Sequence, residues 1–228
     1  MSTIADNIQL VSSRIQAATA AAGRSENSVQ LLAVSKTKPA QALREAYAAG
    51  LRDFGENYLQ EALGKQLELA DLPLIWHFIG PIQSNKTRAI AEHFDWVHSV
   101  DRLKIAQRLS EQRPAELPPL NICIQVNVSG EASKSGCTPA DLPALAEAIS
   151  TLPRLKLRGL MAIPEPTEDR AEQDAAFAAV QRLQASLNLP LDTLSMGMSH
   201  DLESAIAQGA TWVRIGTALF GARDYGQQ

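Results

Sequence analysis

The chain has 228 residues, of which 45% are hydrophobic and 20% charged, with a formal net charge of -4 and a pI near 5.6. This is enough apolar sequence for one substantial core, and no low-complexity stretch or charge block suggests disorder. The mild acidity, with no basic stripe carrying aromatic residues, argues against nucleic acid as a partner.

At the N-terminus, "MSTIADNIQLVSSRIQAATAAAG" places Ile4, Ile8, Val11, Ile15 and Ala18 at helical spacing and predicts an amphipathic helix over residues 1–22. It lacks the basic start and continuous apolar run of a signal peptide, and no membrane segment is expected. An alternation follows, in which short β-branched or apolar runs each precede a longer stretch of helical periodicity. The predicted strands are "QLLAVSK", "RDFGEN", "LIWHFIG", "DWVHSV", "LNICIQVNV", "LKLRGLMAI", "DTLSMGM" and "TWVRIGT". Pro39 opens and Gly50 closes the first helix between them, Thr138, Pro139 and Asp141 open the fifth, and "DLESAIAQGA" stops at Gly209.

Eight such repeats predict an α/β protein, a single (β/α)8 TIM barrel filling residues 1–228 with the N-terminal helix packed on it. The usual barrel size of about 250 residues leaves no room for a second domain. A doubly wound open sheet is the alternative, because alternation alone does not decide closure. Cys123 and Cys137 have neither metal-ligand spacing nor the density of a secreted scaffold, which points to a reducing cytoplasm. His93 and His98 flank "FDW" with no third ligand at useful spacing, so no metal site is expected.

Barrels place their chemistry on the loops at the carboxyl ends of the strands, and polar residues of this chain gather there. Lys36 ends the first run in "AVSK", Glu56 and Asn57 the second, and Arg214 lies in the eighth. Alternation puts Lys36 on the face of Leu32 and Val34, so that Lys36 and Arg214 both point into the mouth. "GMSHDLES" and "RIGTALFG", after the last two strands, supply Ser199, Gly216 and Thr217 as parts of a phosphate cradle. Taken singly, each is more simply a turn or a helix cap. No G-x-x-x-x-G-K-[ST] and no G-x-G-x-x-G is present, so a nucleotide loop is not indicated. An amine beside a phosphate cradle suits a Schiff base to a phosphorylated carbonyl compound. Pyridoxal 5'-phosphate and a sugar phosphate both satisfy that description. Arg214 favours the first, since a ring nitrogen facing a guanidinium stays unprotonated.

The runs "LLAVSKTKP", "FGENYLQE", "WHFIGPIQSNK", "VHSVDR", "VNVSGEASKSG", "GLMAIP" and "SMGMSHDLESAIAQGATWVRIGTALFG" together resemble the pyridoxal phosphate homeostasis protein family. The resemblance implies a barrel like the N-terminal domain of alanine racemases, with pyridoxal phosphate held as an aldimine on Lys36. It also implies Arg214 against the pyridine nitrogen, Ser199, Gly216 and Thr217 on the phosphate, Asn57 near the lysine end of the cofactor and Met198 near the ring. His77, Gln83 and Asn85 are expected as supporting residues, although a histidine late in a strand is more often a structural group and "QSNK" also reads as the polar start of a helix. Lys134, in a Gly and Ser rich loop, reads most simply as a solvated lysine.

Racemases of this barrel type draw one of their two bases from a separate β domain on the partner chain, which this sequence lacks. The expected function is therefore binding, buffering or delivery of pyridoxal phosphate by a monomer, with pyridoxal phosphate-dependent apoenzymes as partners and little turnover. A racemase-like enzyme or a class I aldolase using His77 or Tyr58 as base is the competing reading.

Overall fold

The computed structural model describes residues 2–131 and 135–222. Eight parallel strands, β1 (Gln30–Val34), β2 (Asp53–Glu56), β3 (Ile75–Phe78), β4 (Trp96–Val100), β5 (Leu120–Gln125), β6 (Leu155–Met161), β7 (Thr193–Ser195) and β8 (Trp212–Ile215), pair in chain order. β8 returns to β1 with Leu31 opposite Val213 and Leu32 opposite Arg214, so the sheet closes on itself and the open-sheet alternative falls.

Strand alternation explains the closure. One face of each strand packs on the coat of helices, as Ala33, Phe54, Val97, Ile122 and Val213 do, and the other face fills the barrel. Leu32, Trp96, Cys123, Met161 and Trp212 form that inner plug. Both faces are thus largely apolar, the pattern of a parallel sheet covered on each side.

The coat consists of α2 (Ala40–Ala48), α3 (Leu59–Glu68), α4 (Thr87–His93), α5 (Leu103–Gln112), α6 (Leu142–Ser150), α7 (Arg170–Ser186), α8 (Leu202–Ala207) and α9 (Thr217–Phe220). The N-terminal helix, Ile4–Ala21, precedes them and is α1. It starts at Ile4 because Thr3 and Asp6 form a reciprocal cap, each side chain accepting the other's backbone N-H at 3.1 Å. Its buried residues Ile8, Val11 and Ile15 face the barrel. Pro39 is the cap residue of α2, and Gly50 at φ +108° ends it.

The predicted strands overshoot at their carboxyl ends. β1 stops at Val34, β5 at Gln125 and β7 at Ser195, with only an isolated bridge from Val126 to Cys137 beyond β5. Past Ser195 the chain turns at Gly197, φ +101°, where a Cβ would stand 2.6 Å from Ala205 Cβ of α8. Only glycine permits both that backbone and that approach. Both cysteines are free and buried, and burial pushes their thiols up, Cys123 to about 12 and Cys137 to about 11, so neither is a thiolate at neutral pH.

Candidate functional site

A cleft of about 200 Å³ opens at the carboxyl end of the barrel. Lys36, Asn57, Met198, Ser199, Arg214, Gly216 and Thr217, the seven residues expected to bind a cofactor, all line it. Val34, Ile79 and Ile163 supply apolar wall. A larger hollow of about 360 Å³ lies beside the start of β1, under α1 near Ile15 and Arg24, away from the loops that carry these groups.

Lys36 sits in the turn just after β1 and is half-buried. Its position is set from behind. Ser35 is fully buried and its Oγ donates to Glu56 Oε1 at 3.1 Å, while its carbonyl accepts from Lys65 Nζ at 2.8 Å. Lys65 Nζ also reaches Glu56 Oε1 at 2.6 Å and Glu61 Oε1 at 2.8 Å. Glu61 in turn accepts the N-H of Thr37 at 2.6 Å, and Thr37 holds the left-handed φ of +67°. This buried ion cluster therefore clamps the residues on either side of Lys36. It joins them to Glu56, the neighbour of Asn57. Burial pushes the Glu56 carboxyl up to about 6, with Lys65 opposing the shift.

Asn57 is packed against Gly80, where a Cβ would lie 2.6 Å from the Asn57 carbonyl oxygen. Its Oδ1 is buried and has no hydrogen-bond partner among the described residues. Arg214 points inward from β8 and is only 4% exposed. Its Nη1 donates to Ser195 Oγ at 2.8 Å and its Nη2 to the Ala162 carbonyl at 3.0 Å, which fixes both arms of the guanidinium. Desolvation pushes its pKa down to about 10, still leaving the group charged at neutral pH.

The last two loops are tied to α1. Arg14 donates from Nη2 to the Ser199 carbonyl and forms a 2.9 Å ion pair with Glu203 of α8. Asn7 donates to the Leu219 carbonyl of α9 at 2.9 Å. The Met198 N-H is held by Asp201 Oδ1 at 2.7 Å. Ser199 and the exposed Thr217, which follows the cap residue Gly216, thus stand on supported backbone at one side of the cleft.

The residues expected in a supporting role do not line the cleft itself. His77 is fully buried inside the barrel and bonded to Asp53 and His98, below the cleft rather than in it. The 3-10 turn Ser84–Lys86 carries Gln83 into an adjoining hollow with Tyr58 and Lys86, and Asn85 is exposed and lines neither space. Lys134 lies outside the described residues. The sequence reading missed Ser35, Lys65 and Glu61 behind Lys36, and Asp53, His98 and Ser195 behind Arg214. The Glu61 and Lys65 spacing of four marks an ion pair on a helix but does not distinguish a buried pair from a solvated one. Inward parity on β4 and β7 was the signal for His98 and Ser195.

The family model for the alanine racemase N-terminal domain matches residues 3–224. A Pseudomonas aeruginosa protein named pyridoxal phosphate homeostasis protein is 79% identical over 99% of this chain and 98% of its own length. The chain belongs to the pyridoxal phosphate homeostasis protein family. The family member of Escherichia coli K12 is 56% identical, with full coverage of both chains. Among solved structures, PipY of Synechococcus elongatus with pyridoxal phosphate bound superposes with a TM-score of 0.85 at 45% identity, covering 96% of this chain and all of that one. No helix among the described residues is long and apolar enough to cross a membrane.

Proposed function

We propose that this chain binds pyridoxal 5'-phosphate in the cleft with Lys36 as its covalent anchor, and that it buffers or delivers the cofactor instead of turning over a substrate. The observation that carries the reading is the convergence of the Lys36 amine, the buried Arg214 cation and the Ser199 and Thr217 hydroxyls on one cleft. The unpartnered Oδ1 of Asn57 on the same wall fits a polar group entering there. The family membership and the cofactor bound to PipY support the same reading.

When bound, the cofactor supplies an aldehyde that condenses with a primary amine and a pyridine ring that withdraws electrons when its nitrogen is protonated. Lys36 offers the amine. Arg214 faces the ring nitrogen with a donor that does not surrender its proton, and so keeps that nitrogen unprotonated. Ser199, Thr217 and the backbone at Gly216 hold the phosphate, as the last two loops of such barrels do. Met198 covers the ring, and Asn57 stands at the lysine end.

An enzyme that racemises needs a base on each face of the substrate carbon, and Lys36 can serve only one of them. The two groups that the enzyme reading named, His77 and Tyr58, do not line the cleft. This favours a carrier over a racemase; we take the carrier to be a monomer and its recipients to be pyridoxal phosphate-dependent apoenzymes.

Borohydride reduction of the loaded protein followed by peptide mapping is expected to place a pyridoxyl group on Lys36. A label confined to Lys38 or Lys86 overturns the assignment. Lys36→Ala is expected to retain weak binding through the phosphate loops, which are built independently of the lysine.

The phosphate assignment has its own check. Thr217→Val is expected to weaken binding of pyridoxal phosphate by roughly 10- to 100-fold, the worth of a hydrogen bond to a charged group. Binding of unphosphorylated pyridoxal is expected to change little. Equal losses for both ligands count against a phosphate contact at Thr217.

A further inference from the structure

Behind Arg214 the barrel interior is not wholly apolar. Asp53 Oδ1 lies 2.8 Å from His77 Nε2, His77 Nδ1 lies 2.9 Å from His98 Nε2, and His98 Nδ1 lies 2.8 Å from Ser195 Oγ. Ser195 Oγ is the atom that receives Arg214 Nη1 at 2.8 Å. His77, His98 and Ser195 are fully buried, whereas Asp53, the first residue of β2, keeps its side chain about 20% exposed. A chain of hydrogen bonds thus runs from the amino end of the barrel to the floor of the cleft.

We infer that Asp53, His77, His98 and Ser195 form one polarised chain that positions the Arg214 guanidinium from the opposite end of the barrel. The four are positioning residues for the site. Their effect on a ligand rests on the proposed function, in which Arg214 faces the cofactor's ring nitrogen.

The direction of every bond follows from its ends. A carboxylate only accepts, so His77 donates Nε2-H to Asp53 and presents a lone pair at Nδ1. His98 must then donate Nε2-H to His77, leaving its own Nδ1 to accept the Ser195 hydroxyl hydrogen. Ser195 Oγ is left with lone pairs, and the guanidinium donates to it. Each hydrogen is used once, and the chain runs from a cation to an anion through two neutral imidazoles.

Adding a proton breaks this order. A protonated His77 turns its Nδ1-H toward His98, which must present Nε2 as acceptor and Nδ1-H to Ser195. Ser195 Oγ then faces two N-H donors, and its own hydrogen has lost its acceptor. Burial opposes that proton as well, holding His77 below its ordinary value against the pull of Asp53, and His98 well below its own, with His77 and Arg214 adding to the effect. Tight walls leave the rings no alternative pose. His77 stacks on Trp96 at 5.4 Å between centroids and meets the edge of Trp212 at 4.9 Å.

An isolated polar pair in a core is weak evidence for function, since apolar replacements often serve stability as well. A chain of this length is different, because removing any member leaves a donor or acceptor unmatched inside the barrel. Asp53 is the informative member, as it touches neither Arg214 nor the cleft.

The test uses the full chain labelled with 15N histidine, without cofactor. Wild type is expected to show both buried imidazoles neutral and protonated at Nε2. Ser195→Ala is expected to move the His98 Nδ1 resonance toward that of an unbonded lone pair. A charged imidazole, or an Nδ1-H tautomer at either histidine, overturns the inference. In a second arm, release of pyridoxal phosphate and the absorbance of the bound cofactor are compared for wild type and Asp53→Leu, which removes the terminal acceptor. Release about three- to tenfold faster, with a shifted absorbance band, is expected from coupling through such a network. An unchanged band and release rate in a folded Asp53→Leu protein count against positioning by the chain. A wild type that binds no pyridoxal phosphate overturns the proposed function instead, and the histidine tautomers then decide the inference alone.

Discussion

Lys65→Met is expected to destabilise the protein by about 3–5 kcal/mol near pH 8, the usual cost of removing one partner from a buried ion pair. The Lys65 ammonium has three acceptors, Glu56, Glu61 and the Ser35 carbonyl, and is itself 5% exposed. Without it, the fully buried Glu56 carboxylate keeps only the Ser35 hydroxyl, and its Oε2 already has no partner. Protonation is the escape from that charge. The Glu56 pKa in the folded protein stands at about 6 against 4.5 for the free group, so the folded state holds the proton more tightly than the unfolded one. Its contribution to stability is therefore present in acid and is lost as pH rises through that window. In the variant the window extends upward, and the deficit is expected to be smaller at pH 5 than at pH 8. Urea denaturation at both pH values reads the difference. A deficit under about 1 kcal/mol at pH 8 would place this pair with ordinary surface pairs. Glu56→Leu combined with Lys65→Met is expected to recover most of the loss, since the stranded charge is then gone. Because the cluster also holds the backbone on both sides of Lys36, the single variant is expected to bind pyridoxal phosphate more weakly even where it is folded.

That cluster shows where reading the residues alone stops. The eight strands were legible because parallel strands covered on both faces are short apolar runs, and each run is punctuated by a helix with caps. Six of the seven cleft residues were legible for a related reason: barrel closure brings the carboxyl ends of distant strands to one rim, so position at a strand end stands in for position in space, whereas Met198 came only with the family resemblance. Lys65 gave no such sign. Glu61 and Lys65 at a spacing of four look like a solvated pair on α3, and only the contact of that helix with Ser35 and Glu56 buries Lys65. The histidines failed differently. Parity points His77 and His98 inward, but which inward groups meet depends on the stagger between strands. The register shift between Val97 and Val100 in the pairing of β4 with β5 shows how irregular that stagger is. Gln83 and Asn85 were expected in a supporting shell from their loop; Gln83 lines a neighbouring hollow that shares Asn57 with the cleft, and Asn85 faces solvent. Backbone path within a loop is the part that residue types specify least.

Arg214→Glu is expected to give a protein that has lost the block on chemistry and gained slow side reactions. Arg214 is buried, held at two points by Ser195 and Ala162, and remains charged at neutral pH although desolvation lowers its pKa to about 10. A guanidinium in that place has no proton to give, so the ring nitrogen that the proposed function sets against it stays neutral and draws electrons poorly from an attached amino acid. A carboxylic acid there shares its proton with the nitrogen. The loaded wild type and the variant are to be incubated with alanine in heavy water and followed for exchange of the α-hydrogen, racemisation and half-transamination. Near silence is expected from the wild type, and slow exchange from the variant. Arg214→Gln, which keeps a donor but has no acid to share, separates the effect of the carboxyl from that of a loosened cleft, and it is expected to stay silent. Exchange in Arg214→Gln equal to that in Arg214→Glu would assign the gain to loosening. Wild-type turnover above about one per second, within the range of ordinary enzymes, would overturn the carrier reading and leave this barrel an amino-acid racemase or transaminase whose base does not come from His77 or Tyr58.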